Sequence, residues 1–133
     1  HADRLHPLRL PEAMATLALK DGEAIGTSGD YQRFFELDGQ RYSHLIDPRN
    51  GQPAQGMQAV SVLSRPSKNA GAISDVATKP MFIYGAASAL QYAQRFGIND
   101  ALLITANGDA YITASLQARL TWLKPPEHVY RLR

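Results

Sequence analysis

Cysteine is absent from the chain, which excludes disulfides, thiolate nucleophiles and cysteine-held metals and leaves the redox compartment open. Long apolar runs are absent too. No stretch approaches the eighteen or more residues of a membrane helix, and the opening HADRLHPLRL contains no signal-peptide hydrophobic region. Neither sign of charge dominates: 14 Lys and Arg stand against 12 Asp and Glu, for a net charge of +2. The basic residues are scattered and do not interleave with aromatics, so no nucleic-acid surface is expected. Repeats and low-complexity tracts are missing. The first residue is His1 rather than Met, and the expectation is a start inside a longer gene product or after a removed segment.

What is present is an ordinary globular balance. The 133 residues are 44% hydrophobic and 20% charged, enough for one domain with a sizeable core. Residues 1–12 read as an extended, basic lead-in. Residues 13–26 alternate weakly around Asp21-Gly22, a hairpin-type turn signal. The clearest hairpin follows: β-prone arms Arg33–Leu37 and Gln40–Ile46 flank Asp38-Gly39, a dipeptide that tolerates the positive φ of a type I′ turn. Residues 47–56, DPRNGQPAQG, read as a loop. Met57–Ser64 reads as a strand by its β-branched content.

Apolar residues Phe82, Ile83, Ala86, Ala87, Leu90, Ala93 and Phe96 keep helical spacing. The pattern predicts one long helix from Pro80 to about Phe96, stopped by Gly97. Ala101–Thr105 and Ala110–Ala114 read as strands around Asn107-Gly108. In the tail, residues 116–133, one more strand is expected before Pro125-Pro126. The order predicts an α+β fold, one domain with a mostly antiparallel sheet and one long helix.

Three polar clusters interrupt this scheme. In Gly26-Thr27-Ser28-Gly29-Asp30-Tyr31, glycines around small hydroxyls could let backbone N–H groups approach a phosphate, or simply make a tight turn. In Ser43-His44-Leu45-Ile46-Asp47-Pro48-Arg49-Asn50-Gly51, strand alternation puts Tyr42, His44 and Ile46 on one face. A lone His there is as compatible with the core as with a site. In ISDVATKPMFIYG, a Pro is best tolerated in a first helical turn. That predicts Ser74–Lys79 as irregular backbone at a helix N-terminus, where free N–H groups and Lys79 attract anions. Asp75 there binds a cation or pairs with Lys79.

Together the succession AIGTSGDYQRFFELDGQRYSHLIDPRNGQP, the strand near VSVLS, and SDVATKPMFIYG resembles the second half of the ApbE family, the FAD:protein FMN transferases. The resemblance covers about residues 18–115 and rests on a TSGDY-like loop, an H-[IV]-[IL]-D-P-x-[TN]-G-x-P segment and an aDALATALFVLG-like helix. It implies a partial domain of the T-fold-related ApbE type that moves FMN from FAD to a Thr or Ser hydroxyl of an acceptor flavoprotein, releasing AMP. It implies a divalent cation, usually Mg2+, which favours oxygen ligands. It implies a periplasmic or cell-envelope setting. Asp75 matches the family's metal-binding Asp. His44 matches a His beside the flavin and reacting phosphate, suited to general-base or phosphate-contacting work. Thr27, Ser28, Gly29 and Asp30 match the phosphate-pocket loop, with His44, Ile46 and Lys79 beside the nucleotide.

The sequence departs from the family in two respects. Counted without gaps, the family's second metal ligand, a Thr, is Lys79 here; Thr78 lies one residue early and is the candidate second ligand beside Asp75, able to supply its hydroxyl only if the backbone shifts. An ammonium has no lone pair for a metal, so Lys79 is expected to weaken or replace the cation. The family's first half is missing as well. A missing N-terminal half or a second copy is therefore expected as partner, since exposed sheet edges invite pairing. The alternative reading is a non-catalytic module that binds a flavin or a partner chain. A third is a structural C-terminal domain of a larger redox protein.

Overall fold

The unbroken apolar run Ala101–Ile104 occupies a strand buried on both faces, and the other elements are arranged around it. The computed structural model describes residues 4–9, 13–29, 34–37, 40–43, 45–54 and 56–133. Its elements are β1 (Arg4–Arg9), β2 (Ala13–Leu19), β3 (Ala24–Gly29), β4 (Phe34–Leu37), β5 (Gln40–Ser43), β6 (Ile46–Asp47), β7 (Gln52–Pro53) and β8 (Met57–Ser64). Then follow α1 (Ala70–Tyr84), α2 (Ala86–Arg95), β9 (Asp100–Thr105), β10 (Ala110–Ile112), α3 (Ala114–Arg119), β11 (Leu120–Trp122) and β12 (Val129–Arg131).

Five strands form the central sheet in the order β12-β10-β9-β8-β3. Its described ladders are antiparallel except β10 with β12. Ala101 and Leu103 of β9 and Val60 and Val62 of β8 pack beneath Ala77, Met81 and Phe82 of α1 and Ala89 and Ala93 of α2. Leu102 and Ile104, with Ala59 and Leu63, face Ala15 and Leu17 of β2. That strand belongs to a three-stranded sheet, β1-β2-β11. The result is three layers: helices, five-stranded sheet, three-stranded sheet. A strand covered on both sides needs no polar alternation, which accounts for ALLI.

The α+β reading holds, but the single long helix does not. Pro80 lies inside α1, and Ser74–Lys79 are regular helix rather than its irregular approach. An interior Pro cannot donate to the carbonyl four residues back and costs about 3 kcal/mol. Met81 and Phe82 beside it are fully buried, and each such burial contributes about 1.5–3 kcal/mol. Tertiary packing therefore carries the helix through the proline. The break comes at Gly85, whose φ of 85° and ψ of −172° separate α1 from α2, a conformation reserved for glycine. Gly97 does end α2 as expected. With φ at 68°, its N–H reaches Gln94 O at 3.2 Å and the Ile98 N–H reaches Ala93 O at 2.8 Å, a Schellman closure.

Other expectations shift locally. The lead-in contains β1, paired antiparallel to β2. Asp21-Gly22 is a turn with positive φ at Gly22, yet β2 and β3 enter different sheets instead of pairing. The β4–β5 hairpin has Leu37 opposite Gln40, so its arms are joined by two residues. The second arm is described as far as Ser43, and Ile46, expected within it, pairs instead with Pro53 in a separate two-strand ladder. In the tail, α3 and β12 were not expected, whereas β11 pairs with β2 before the prolines. Among the described residues no helix is long and apolar enough to cross a membrane.

Candidate functional site at the junction of β3 and α1

Strand β3 is made of small residues, and this lets it lie directly on a helix backbone. A Cβ added at Gly26 would fall 2.5 Å from both C and O of Ser74 in α1. Sequence reasoning offered this glycine either a phosphate approach or a tight turn. In the structure its missing side chain admits the helix. Two residues on, Ser28 points to the same side and meets the middle of α1. Its Oγ lies 2.8 Å from Thr78 Oγ1 and accepts from Lys79 Nζ at 2.9 Å. Thr78 Oγ1 in turn donates to the Asp75 carbonyl at 2.8 Å. Ser28 and Thr78 are buried and 50 positions apart.

The direction of this chain is fixed by donor chemistry. The Lys79 ammonium can only donate. The Thr78 hydroxyl spends its single proton on Asp75 O. The proton between the two hydroxyls therefore belongs to Ser28, and the order runs Lys79 to Ser28 to Thr78 to the Asp75 carbonyl. Every donor points away from the ammonium. The nearest described carboxylate, Asp75 Oδ1, stands 3.7 Å from Nζ with 71% of its side chain exposed. Such an exposed pair is worth about 0–1 kcal/mol.

The remaining predicted residues distribute as follows. Thr27 faces the opposite side of the sheet, where its Oγ1 sits 2.9 Å from Ser61 Oγ. Gly29 is buried at the end of β3, opposite Ala59. Asp30 and His44 lie outside the described residues. Ile46 is half exposed in β6. The neighbouring loop is held by Arg49, a residue to which the sequence gave no role. Its Nε and Nη2 donate to Asp47 at 2.6–3.1 Å, and its backbone N–H donates to Asp47 Oδ1 at 2.9 Å. These side-chain hydrogen bonds hold the Asp47 carboxyl below the ordinary range. The Arg49 guanidinium lies 4.9 Å over the Tyr84 ring, which stacks on Tyr92 at 5.7 Å. This pins the loop to the end of α1, about 13.5 Å along the helix from Asp75 at about 1.5 Å per residue.

The described residues do not present a divalent-cation site. No group of three or more His, Asp or Glu side chains among them could hold a metal. The Thr78 hydroxyl is fully buried and committed to Ser28 and Asp75 O. A cation on Asp75, about 2.1 Å from its oxygen, would stand within about 6 Å of the Lys79 ammonium. The two like charges repel, an effect that solvent at these partly exposed groups weakens but does not remove.

A profile of the ApbE family matches residues 3–103. The chain belongs to the ApbE family. It is 38% identical over 107 residues to an FAD:protein FMN transferase of Rhodobacter capsulatus, covering 80% of this chain and 20% of that protein. It is 31% identical over 106 residues to an FAD:protein FMN transferase of Escherichia coli (strain K12), covering 79% of this chain and 26% of the relative. Among solved structures, the ApbE protein of Thermotoga maritima superposes with a TM-score of 0.71 at 24% identity, covering 90% of this chain and 38% of that one. That likeness shows the fold. The flavinyl transferase ApbE of Pseudomonas stutzeri, in its apo form, superposes at 0.62 with 30% identity, covering 88% and 36%. This chain thus spans about a fifth to two fifths of the proteins it matches, and the β3–α1 junction lies within the matched span.

Proposed function

We propose that this chain is part of a flavin transferase that moves FMN from FAD onto a Thr or Ser hydroxyl of an acceptor protein. The observation that carries the reading is the hydrogen-bonded contact of Ser28 with Thr78 and Lys79. It unites two of the three segments that resemble the family's motifs. In the proposed reaction the acceptor oxygen bonds to the FMN-side phosphorus of FAD. The pyrophosphate bridge breaks, AMP leaves with the bridging oxygen, and the hydroxyl proton passes to a base. His44 is proposed for that base or for a phosphate contact. Asp75 is proposed beside it to orient the reacting groups. The Ser28–Gly29 end of β3, with Asp30 after it, is proposed to border the phosphate, and Ile46 the flavin side. Charge neutralisation and positioning supply most of the catalysis in such transfers.

The rest of the pocket is proposed to come from a companion segment, since this chain covers only 20–31% of the relatives' length. A cell-envelope location is proposed from the family resemblance alone. The test is incubation with FAD, with and without Mg2+, and a Thr-containing acceptor domain, followed by intact-mass analysis. A gain of one FMN on the acceptor is expected. Unaltered acceptor with retained FAD would favour the non-catalytic flavin-binding reading, and loss of both would leave a structural domain.

A further inference from the structure

We infer that Lys79 supplies the fixed positive charge of this site and binds a pyrophosphate group without a divalent cation. The inference rests on the flavin-nucleotide reading for the identity of the ligand, but not for the anion chemistry. Three observations carry it. The ammonium is held in place by Ser28 Oγ at 2.9 Å, while its side chain stays 38% exposed. One of its three N–H donors is used there, and two remain for a ligand. The hydroxyls beyond Ser28 relay their protons away toward the Asp75 carbonyl, so this hydrogen-bonded series of neutral hydroxyls sets no negative charge against the ammonium. The one described carboxylate nearby, Asp75, is 3.7 Å away and mostly solvated. The result is a positioned, under-compensated cation at the end of a strand of small residues, a setting where charge-assisted bonds to phosphate oxygens are strong. Among the described residues at this junction, the oxygen donors that a metal would need are either buried and committed, as in Thr78, or shared with the ammonium, as in Asp75.

The experiment is titration calorimetry with inorganic pyrophosphate and, separately, with FAD, each in excess chelator and in millimolar Mg2+. Wild-type chain is expected to bind pyrophosphate in chelator, with Mg2+ changing the affinity by less than about threefold. Lys79→Met, which keeps the aliphatic stem, should weaken binding by about ten- to a hundredfold, the worth of one charged hydrogen bond. Lys79→Arg should recover most of it. Thermal unfolding of each variant shows whether it folds, and the wild-type comparison needs no variant at all. Pyrophosphate binding that is lost in chelator, or that survives Lys79→Met unchanged, would overturn the inference. Lys79-dependent binding of pyrophosphate with no binding of FAD would uphold the inference while removing the flavin reading.

Discussion

Replacing Gly26 by Ala should separate the two elements that make the site. Ala needs no unusual backbone angle there, so the effect comes from volume alone. The new Cβ would lie 2.5 Å from Ser74 C and O, against the 3.4 Å at which ordinary contact begins. The obstacle is helix backbone, which cannot swing aside as a side-chain tip can. Either β3 or α1 must retreat by about 0.9 Å. Taken up along the Ser28–Thr78 vector, that retreat stretches the 2.8 Å contact to about 3.7 Å, beyond hydrogen-bond range.

Overpacking costs about 1–3 kcal/mol, and orphaning buried hydroxyls about 1–3 kcal/mol more. The lower chain entropy of Ala in the unfolded state returns about 0.5–1 kcal/mol. The net expectation is a loss of about 3 kcal/mol, or roughly 10 °C in Tm for a chain of this size. Gly71→Ala is the control. That glycine sits in the first turn of α1 with nothing within 4 Å of its added Cβ, so Ala should stabilise by about 0.5–1 kcal/mol. Urea unfolding of both variants reads the difference. Equal shifts, or a Gly26→Ala midpoint within about 0.5 kcal/mol of wild type, would refute the close-contact argument.

Two further outcomes follow from single contacts. Pro80→Ala restores a donor for the Val76 carbonyl inside α1 and should raise stability by about 1–3 kcal/mol. A lower urea midpoint would show that the proline is not merely tolerated. The Glu23 carboxyl is held below its ordinary 4.5, chiefly by the side-chain hydrogen bonds from Arg119 at 2.8–2.9 Å. A depressed carboxyl contributes stability above its unfolded value, and that contribution is lost as pH falls through the lower folded value. Wild type should therefore lose stability more steeply than Glu23→Gln below about pH 4.5, and parallel curves of urea midpoint against pH would contradict the assignment.

Local chemistry made part of this fold legible. Asp38-Gly39 between β-prone arms marks a hairpin in the sequence, and the pairing of Leu37 with Gln40 agrees with it. ALLI marks a strand, and its lack of alternation already indicates two covered faces. The start of α1 was illegible for a physical reason. The rule that places Pro80 in a first turn counts one lost hydrogen bond, whereas the helix is decided by Met81 and Phe82 burying themselves against β8 and β9. That burial depends on strands 20 residues to either side. The same nonlocal origin hides β12, which follows two prolines and exists because Ala110 N–H finds His128 O at 3.0 Å. It also hides the separation of β2 from β3, since a turn signal says nothing about which sheet receives each arm.

The site divides along the same line. Ser28, Thr78 and Lys79 could be picked out as chemistry-bearing residues, but not as neighbours. Their contact requires a strand that approaches a helix backbone with no Cβ between them. The residue that permits it, Gly26, reads in sequence as loop punctuation. Once the contact exists, the proline and the lysine acquire different explanations. Pro80 is accommodated by core packing and needs no functional reason. Lys79 is not explained by packing, since its ammonium is partly exposed and only one described hydroxyl holds it in place. A helix could leave such a side chain free in solvent, where about 2 kcal/mol of rotamer entropy would be retained. Its fixation by Ser28 gives up part of that entropy and returns a charge in a defined place, which is what an anion site requires.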